Sequence, residues 1–324
     1  MILFWKFRRF KKLKKKLRIE ILFLIAFIIL LYSSFCNADD KKNIELKRLK
    51  IFRFGIMKST FIGKNILDAK AAFEIWTQNY IKENKNLNVK VETAIFEDIE
   101  SVKNAIRKNE IEFLNINSLE YLKMSLENIL QGFLVNTIKN FPEKSPQDEL
   151  LILTLKKSGI KNIIDLKGKK ILVQTGKWGE IPAVWLKTLL TENNIFFSEE
   201  KILAFEKVSQ AVYQVYFNQA DACVVSSASF KLIRELNPNI GASLNIISQS
   251  DEFLPFIFCY TKNADTELTD IVRKSVLTFD KSSYGKQILT LFQTDKIIPF
   301  ENLYLNNIRR LYDKYNKIII KNEK

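Results

Sequence analysis

The sequence contains no histidine. That excludes triads and general bases built on imidazole, and imidazole-ligated metal centres. Cysteine is nearly as scarce, at three in 324 residues. Cys36 falls in a leader-like segment, so only Cys223 and Cys259 remain in the body. Two thiols make neither a zinc cage nor a disulfide framework. Both sit in apolar strand-like runs, and two readings stay open: separate buried thiols, or one disulfide under strict geometric limits. Glycine (9) and proline (6) are few. No Gly/Ser linker or internal repeat divides the chain, and neither a Walker loop nor G-x-G-x-x-G occurs. Ser226, Ser227 and Ser229 follow a strand, yet no histidine exists to activate a serine. Glu199-Glu200 and Asp251-Glu252 read as solvated pairs in a chain that is 27% charged. These absences favour binding over catalysis, with no cofactor and no metal.

Apolar residues make up 47% of the chain and aromatics 12%, enough for one large or two medium cores. The net charge of +15 is uneven. Residues 1–38 hold nine Lys or Arg and one Glu, a surplus of +8, and the remaining 286 residues carry +7. A mildly basic body fits an anion site, a membrane surface, or a merely lysine-rich composition. Lys6 to Arg18 is a basic run, followed by twelve apolar residues, Ile21–Tyr32, and then Ser33–Ala38. That order is an export signal. The apolar run falls short of the ~20 residues of a membrane span, but uncleaved it would act as an anchor. Residues 1–38 are therefore expected to be a signal peptide or an N-terminal membrane anchor. Either places the body on the extracytoplasmic side, because the basic flank stays in.

From residue 39 a short charged tether leads into a strand at Leu49–Gly55. Helical spacing follows at Asn65–Tyr80 and Ile99–Asn109, with strands at Asn88–Ile95, Ile111–Ile116 and Ile129–Lys139. Alternating strands and helices imply right-handed crossovers and a parallel sheet, with ligands at the strands' carboxyl ends. A second unit of this kind opens after Gly159. Lys169–Val173 reads as a strand and Gln174–Gly179 as a turn. Glu180–Glu192 reads as a helix with Pro182 in its first turn. Strands follow at Glu200–Lys207, Asp221–Ser226 and Ser243–Ser248. Glu149–Lys156 is expected to cross out of the first unit and Phe253–Tyr260 to cross back. The expected architecture is α/β with two lobes, each a mainly parallel sheet flanked by helices, joined by two crossing strands. Residues 39–152 with 256–324 form lobe 1, and 153–255 form lobe 2.

In that arrangement the loops at 59–60, 117–121, 174–178, 205–209 and 226–229 all follow strands and face one cleft. They supply the hydroxyls of Ser59 and Thr60, the ring of Tyr121, and the donor-rich turn Thr175-Gly176-Lys177-Trp178. A strand–turn–helix corner of this kind suits an anion. Trp178 serves equally as a lobe-packing aromatic or a ligand contact. Lys177 and Lys207 are either surface lysines or ligand cations.

The run Ser158-Gly159-Ile160…Asp165-Leu166-Lys167-Gly168-Lys169-Lys170 resembles the second-lobe entry of phosphate/phosphonate-type solute-binding proteins of ABC transporters. Asn218–Ala222, Ile247–Ser250 with Pro255, and Asp280…Gly285 agree in order, so the resemblance covers roughly residues 50 to 300. It implies the type II periplasmic-binding-protein fold and capture of a small anionic or zwitterionic solute for an ABC permease. It also implies a monomer without nucleic acid. The family's hydroxyl-rich turn keeps one hydroxyl here, Thr175. Lys207 or Ser209 stands where the family often has His. Tyr121 matches the family's Tyr after the third strand, and Asp251 or Glu252 matches an acid used for amine-bearing ligands. A membrane-tethered sensor of the same fold is the alternative.

Overall fold

The computed structural model describes residues 50–58, 65–85, 89–125, 128–139 and 145–322. The expected leader and tether lie outside these residues. The first seven elements are β1 (Lys50–Met57), α1 (Ile66–Lys85), β2 (Val89–Phe96), α2 (Ile99–Arg107), β3 (Phe113–Asn117), α3 (Ser118–Ser125) and β4 (Leu130–Asn136). The chain then enters a second sheet through β5 (Leu150–Leu155) and β6 (Ile171–Gln174). There it adds α4 (Ile181–Glu192), β7 (Ile202–Phe205), α5 (Val208–Tyr216), β8 (Ala222–Ser226), α6 (Ser227–Leu236), α7 (Pro238–Ser243) and β9 (Leu244–Gln249). It returns as β10 (Phe256–Thr261), followed by α8 (Thr266–Val276), α9 (Ser283–Leu291), β11 (Ile297–Pro299) and α10 (Asn306–Asn322). Most boundaries fall within two or three residues of those read from periodicity. β11 and α7 are additions.

The first sheet has the order β11-β4-β10-β3-β1-β2 and the second β7-β6-β8-β5-β9. The two expected sheets are present, and both are mixed. β1 runs parallel to β3, and β6 runs parallel to β7 and β8. β10 is antiparallel to β3 and β4, and β5 is antiparallel to β8 and β9. β10 and β5 arrive from the other lobe, heading the opposite way, and the short β11 adds an antiparallel edge to β4. Where the two crossings run side by side, Asp148 and Phe253 exchange backbone hydrogen bonds of 3.0 and 2.9 Å.

Local chemistry sets the helix starts. Asp98, Asp265 and Ser282 each accept a backbone N–H three residues on, from Ser101, Leu268 and Gly285, satisfying an otherwise orphaned donor. Strand alternation sorts the core. On β5, β6, β8 and β10 one set of side chains (Leu150, Ile171, Val224, Ile257) joins a single apolar cluster shared by both lobes. The alternate set goes to a core private to each lobe. Cys223 and Cys259 lie on β8 and β10, in different sheets. Both are free and fully buried, and burial pushes both thiols up. They are inert packing residues. No helix among the described residues is long and apolar enough to cross a membrane.

Candidate functional site

Each lobe presents the carboxyl ends of its parallel strands to the other. β1 ends at Met57 and β2 at Phe96, so the next residues are Lys58 and Glu97, paired at 2.5 Å. β6 ends at Gln174 and β7 at Phe205, so the next are Thr175 and Glu206. All four line one cavity of about 480 Å³, together with Glu180 before α4 and Lys187 on that helix. Crossover topology does this by itself: parallel strands put every following loop on one edge.

The turn after β6 is shaped to touch the first lobe. Gly179 has φ +55°, and a Cβ there would stand 2.3 Å from the Asn117 side-chain nitrogen at the end of β3. Only glycine permits both the backbone and the approach. Trp178 is completely buried within the cluster shared by the lobes, and its indole N–H has no hydrogen-bond partner among the described residues. Across the seam, Lys123 of α3 meets Glu180 at 3.6 Å.

Glu120, in the first turn of α3, donates its N–H to Asn117 Oδ1 at 2.9 Å. Its Oε2 is buried without a hydrogen-bond partner among the described residues. Burial, and then the negative charge of Glu180, push this carboxyl up to about 7. The Asn117 contacts and Lys123 oppose that shift without cancelling it.

Of the residues expected at the site, Thr175 and Gly176 line the cavity. Thr175 also donates from both its N–H and Oγ1 to the Phe205 carbonyl, at 2.9 and 3.2 Å. Lys177 has its backbone in the same turn, and its side chain lies outside the described residues, as do Ser59 and Thr60. Trp178 packs in the seam. Tyr121 is buried inside the first lobe, where its hydroxyl accepts the Gly132 N–H at 3.0 Å. Lys207 is exposed at the N-cap of α5, and Ser209 is exposed on its first turn. Asp251 is 3.4 Å from Arg310 of α10 and faces a separate cavity of about 210 Å³. The structure thus gathers the Thr175 turn with Lys58 and Glu97, and does not bring Tyr121, Lys207, Ser209 or Asp251 to that cavity.

Sequence reading passed over Lys58, Glu97, Glu180, Lys187 and Glu206. For Lys58, Glu97 and Glu206 the signal was position directly after a strand's end; Glu180 and Lys187, before and on α4, carried none. The serine cluster proves structural: Ser226 caps α6 and its hydroxyl donates to Ser229 Oγ at 2.9 Å. Among the described residues no group of Asp, Glu and Cys is placed to hold a metal ion.

Comparison with curated protein sequences finds no match. Solved structures share the fold at low identity. A binding-protein component of an ABC phosphonate transporter from Pseudomonas aeruginosa superposes with TM-score 0.59 at 14% identity, covering 84% of this chain and 89% of that one. PhnD1 from Prochlorococcus marinus, in complex with methylphosphonate, gives 0.57 at 13%, over 83% and 99%. The periplasmic aliphatic sulphonate binding protein SsuA from Escherichia coli gives 0.50 at 12%, over 84% and 88%. The model of the family "ABC transporter, phosphonate, periplasmic substrate-binding protein" matches residues 77–303. The chain therefore belongs to that family of periplasmic substrate-binding proteins, which bind small solutes, work with permease partners and are not enzymes.

Proposed function

We propose that this protein captures a small zwitterionic solute of phosphonate type in the cavity between its lobes and delivers it to an ABC permease. It does so as an exported monomer. The observation that carries this reading is the meeting of four strand-end residues, two from each lobe, in one cavity. Such a site binds a solute by closing on it.

The charges around the cavity favour a zwitterion over a bare anion. Lys58 is held by Glu97, and Lys187 by Glu199 at 2.7 Å. With Glu180 drawn to Lys123, Glu206 remains as the surplus carboxylate on the cavity wall. In this reading the anionic end faces the turn amides and the first turn of α4, and the cationic end faces Glu206.

Calorimetric titration of the full-length chain with 2-aminoethylphosphonate, methylphosphonate, phosphate and sulfate tests it. 2-Aminoethylphosphonate should bind ~tenfold tighter than methylphosphonate, worth ~1.4 kcal/mol. E206Q should erase that margin. Equal affinities in the wild type would remove the zwitterion, and no binding of any probe would remove the phosphonate-type solute.

A further inference from the structure

The seam between the lobes holds a feature that solute binding alone does not require. Glu120 stands in the first turn of α3 with a buried, unpartnered Oε2, and the carboxylate of Glu180 approaches from the other lobe. Beside them the glycine turn is pressed onto Asn117. Glu180 is exposed, so the cost falls on Glu120: a buried carboxylate beside a second negative charge is disfavoured unless it is neutral. α3 packs on β3, β4, β10 and α10. The three strands contribute no charged residue to that packing, as their sequences FLNIN, LQGFLVN and FIFCYT show. On α10 the charge of Arg309 acts on Tyr121. On α3 itself Lys123 is drawn toward Glu180. Among the described residues no ion pair to Glu120 forms, and the charge of Lys123 lowers its carboxyl without cancelling the effect of burial.

We propose that Glu120 is the positioning residue of the seam: it seats the Glu180 turn against α3 only when its carboxyl carries a proton, so closing the lobes takes up a proton. The link to solute capture rests on the reading above; the proton in the seam does not. When the lobes part, water reaches Glu120 and the Glu180 charge recedes, so the proton leaves.

The sign follows from the shift. Glu120 titrates near 4.5 when unfolded and near 7 in the seam. Its contribution to stability is present in full below about 4.5 and declines as pH climbs. It is gone once pH has risen through about 7. A glutamine keeps the neutral donor at every pH.

The experiment is thermal unfolding of the full-length wild type, E120Q and E180Q from pH 4.5 to 8.5. The folded-to-unfolded ratio of E120Q should gain on wild type by ~tenfold or more across that window. E180Q should show a shallower dependence than wild type, because the opposing charge is gone. Parallel curves for wild type and E120Q overturn the proposal. A second arm titrates 2-aminoethylphosphonate into wild type and E120Q at pH 7.5, in two buffers of different ionisation enthalpy. Wild type should take up a fraction of a proton per solute bound and E120Q none. Binding without proton uptake overturns the coupling and leaves the solute reading standing. Absence of binding overturns the solute reading, while the unfolding curves still decide whether the seam holds a proton.

Discussion

The private cores of the two lobes are built from different materials. The first is a stack of rings: Phe52, Phe54, Phe73, Phe113, Phe133, Phe258 and Phe292, with centroids 4.8 to 6.1 Å apart in tilted, stacked and edge-on pairs. The second is almost wholly aliphatic: Leu151, Leu153, Leu172, Val212, Val215 and Val225, with Ala211 and Ala220 bringing elements close. Rings fill volume in rigid pieces, and the ring core retains a cavity of about 40 Å³ among Phe54, Phe73, Phe258 and Phe292. Short branched chains interdigitate with less remainder. The contrast shows where each lobe is vulnerable, and it leaves the shared seam as a third region with its own rules.

The largest effect is expected in the ring core. F113A removes a fully buried ring that touches Phe52 and Phe133. It should destabilise the chain by ~3–5 kcal/mol in urea unfolding. L172A in the aliphatic core, also fully buried, should cost ~2–5 kcal/mol. If the private cores are independent, the double variant loses the sum of the two; a marked shortfall would mean that the cores are coupled. A smaller effect belongs to the seam. G179A combines positive φ with the approach to Asn117 and should cost ~1–3 kcal/mol. Adding N117A should return part of that loss, and no return would place the strain in the backbone alone. The smallest effect concerns Lys123–Glu180, whose side chains are 40% and 72% exposed. K123M should change stability by under ~1 kcal/mol.

The distinction between these regions was only partly legible in the sequence. The near-continuous apolar runs Leu150–Leu155 and Ala222–Ser226 announce strands with two buried faces, and the spacing of runs and periodic segments gives the order of strands and helices well. It does not say which face meets the other lobe, because Leu150 and Leu151 are chemically alike and only the assembled sheets separate them. β11 was unreadable for another reason: three residues ending in Pro299 carry too little pattern. At the site, the turn at Thr175–Gly179 stood out through its glycines and the helix start behind it. Tyr121 stood out through its family position, yet the ring turns inward to the Gly132 amide, a direction that depends on β4. Glu120 left no mark at all. A glutamate in a first helical turn looks like ordinary dipole complementation until Glu180, sixty residues later, is folded against it.

The sheet order has a consequence for how the chain is made. β10 lies between β3 and β4, yet it comes ~120 residues after β4 ends. At ~5–20 residues per second of synthesis, the first lobe's two inner strands wait ~6–24 seconds for the strand that must lie between them. For that interval their hydrogen-bonding edges are open, and the apolar faces around Phe113 and Phe133 lack their cover. The second lobe, whose strands all lie within one continuous stretch, has everything it needs to fold first. The nascent chain thus has a built-in order of maturation, later segment before earlier, and an aggregation-prone window that closes only when β10 and the helices that cover the ring core, through Phe292, have arrived.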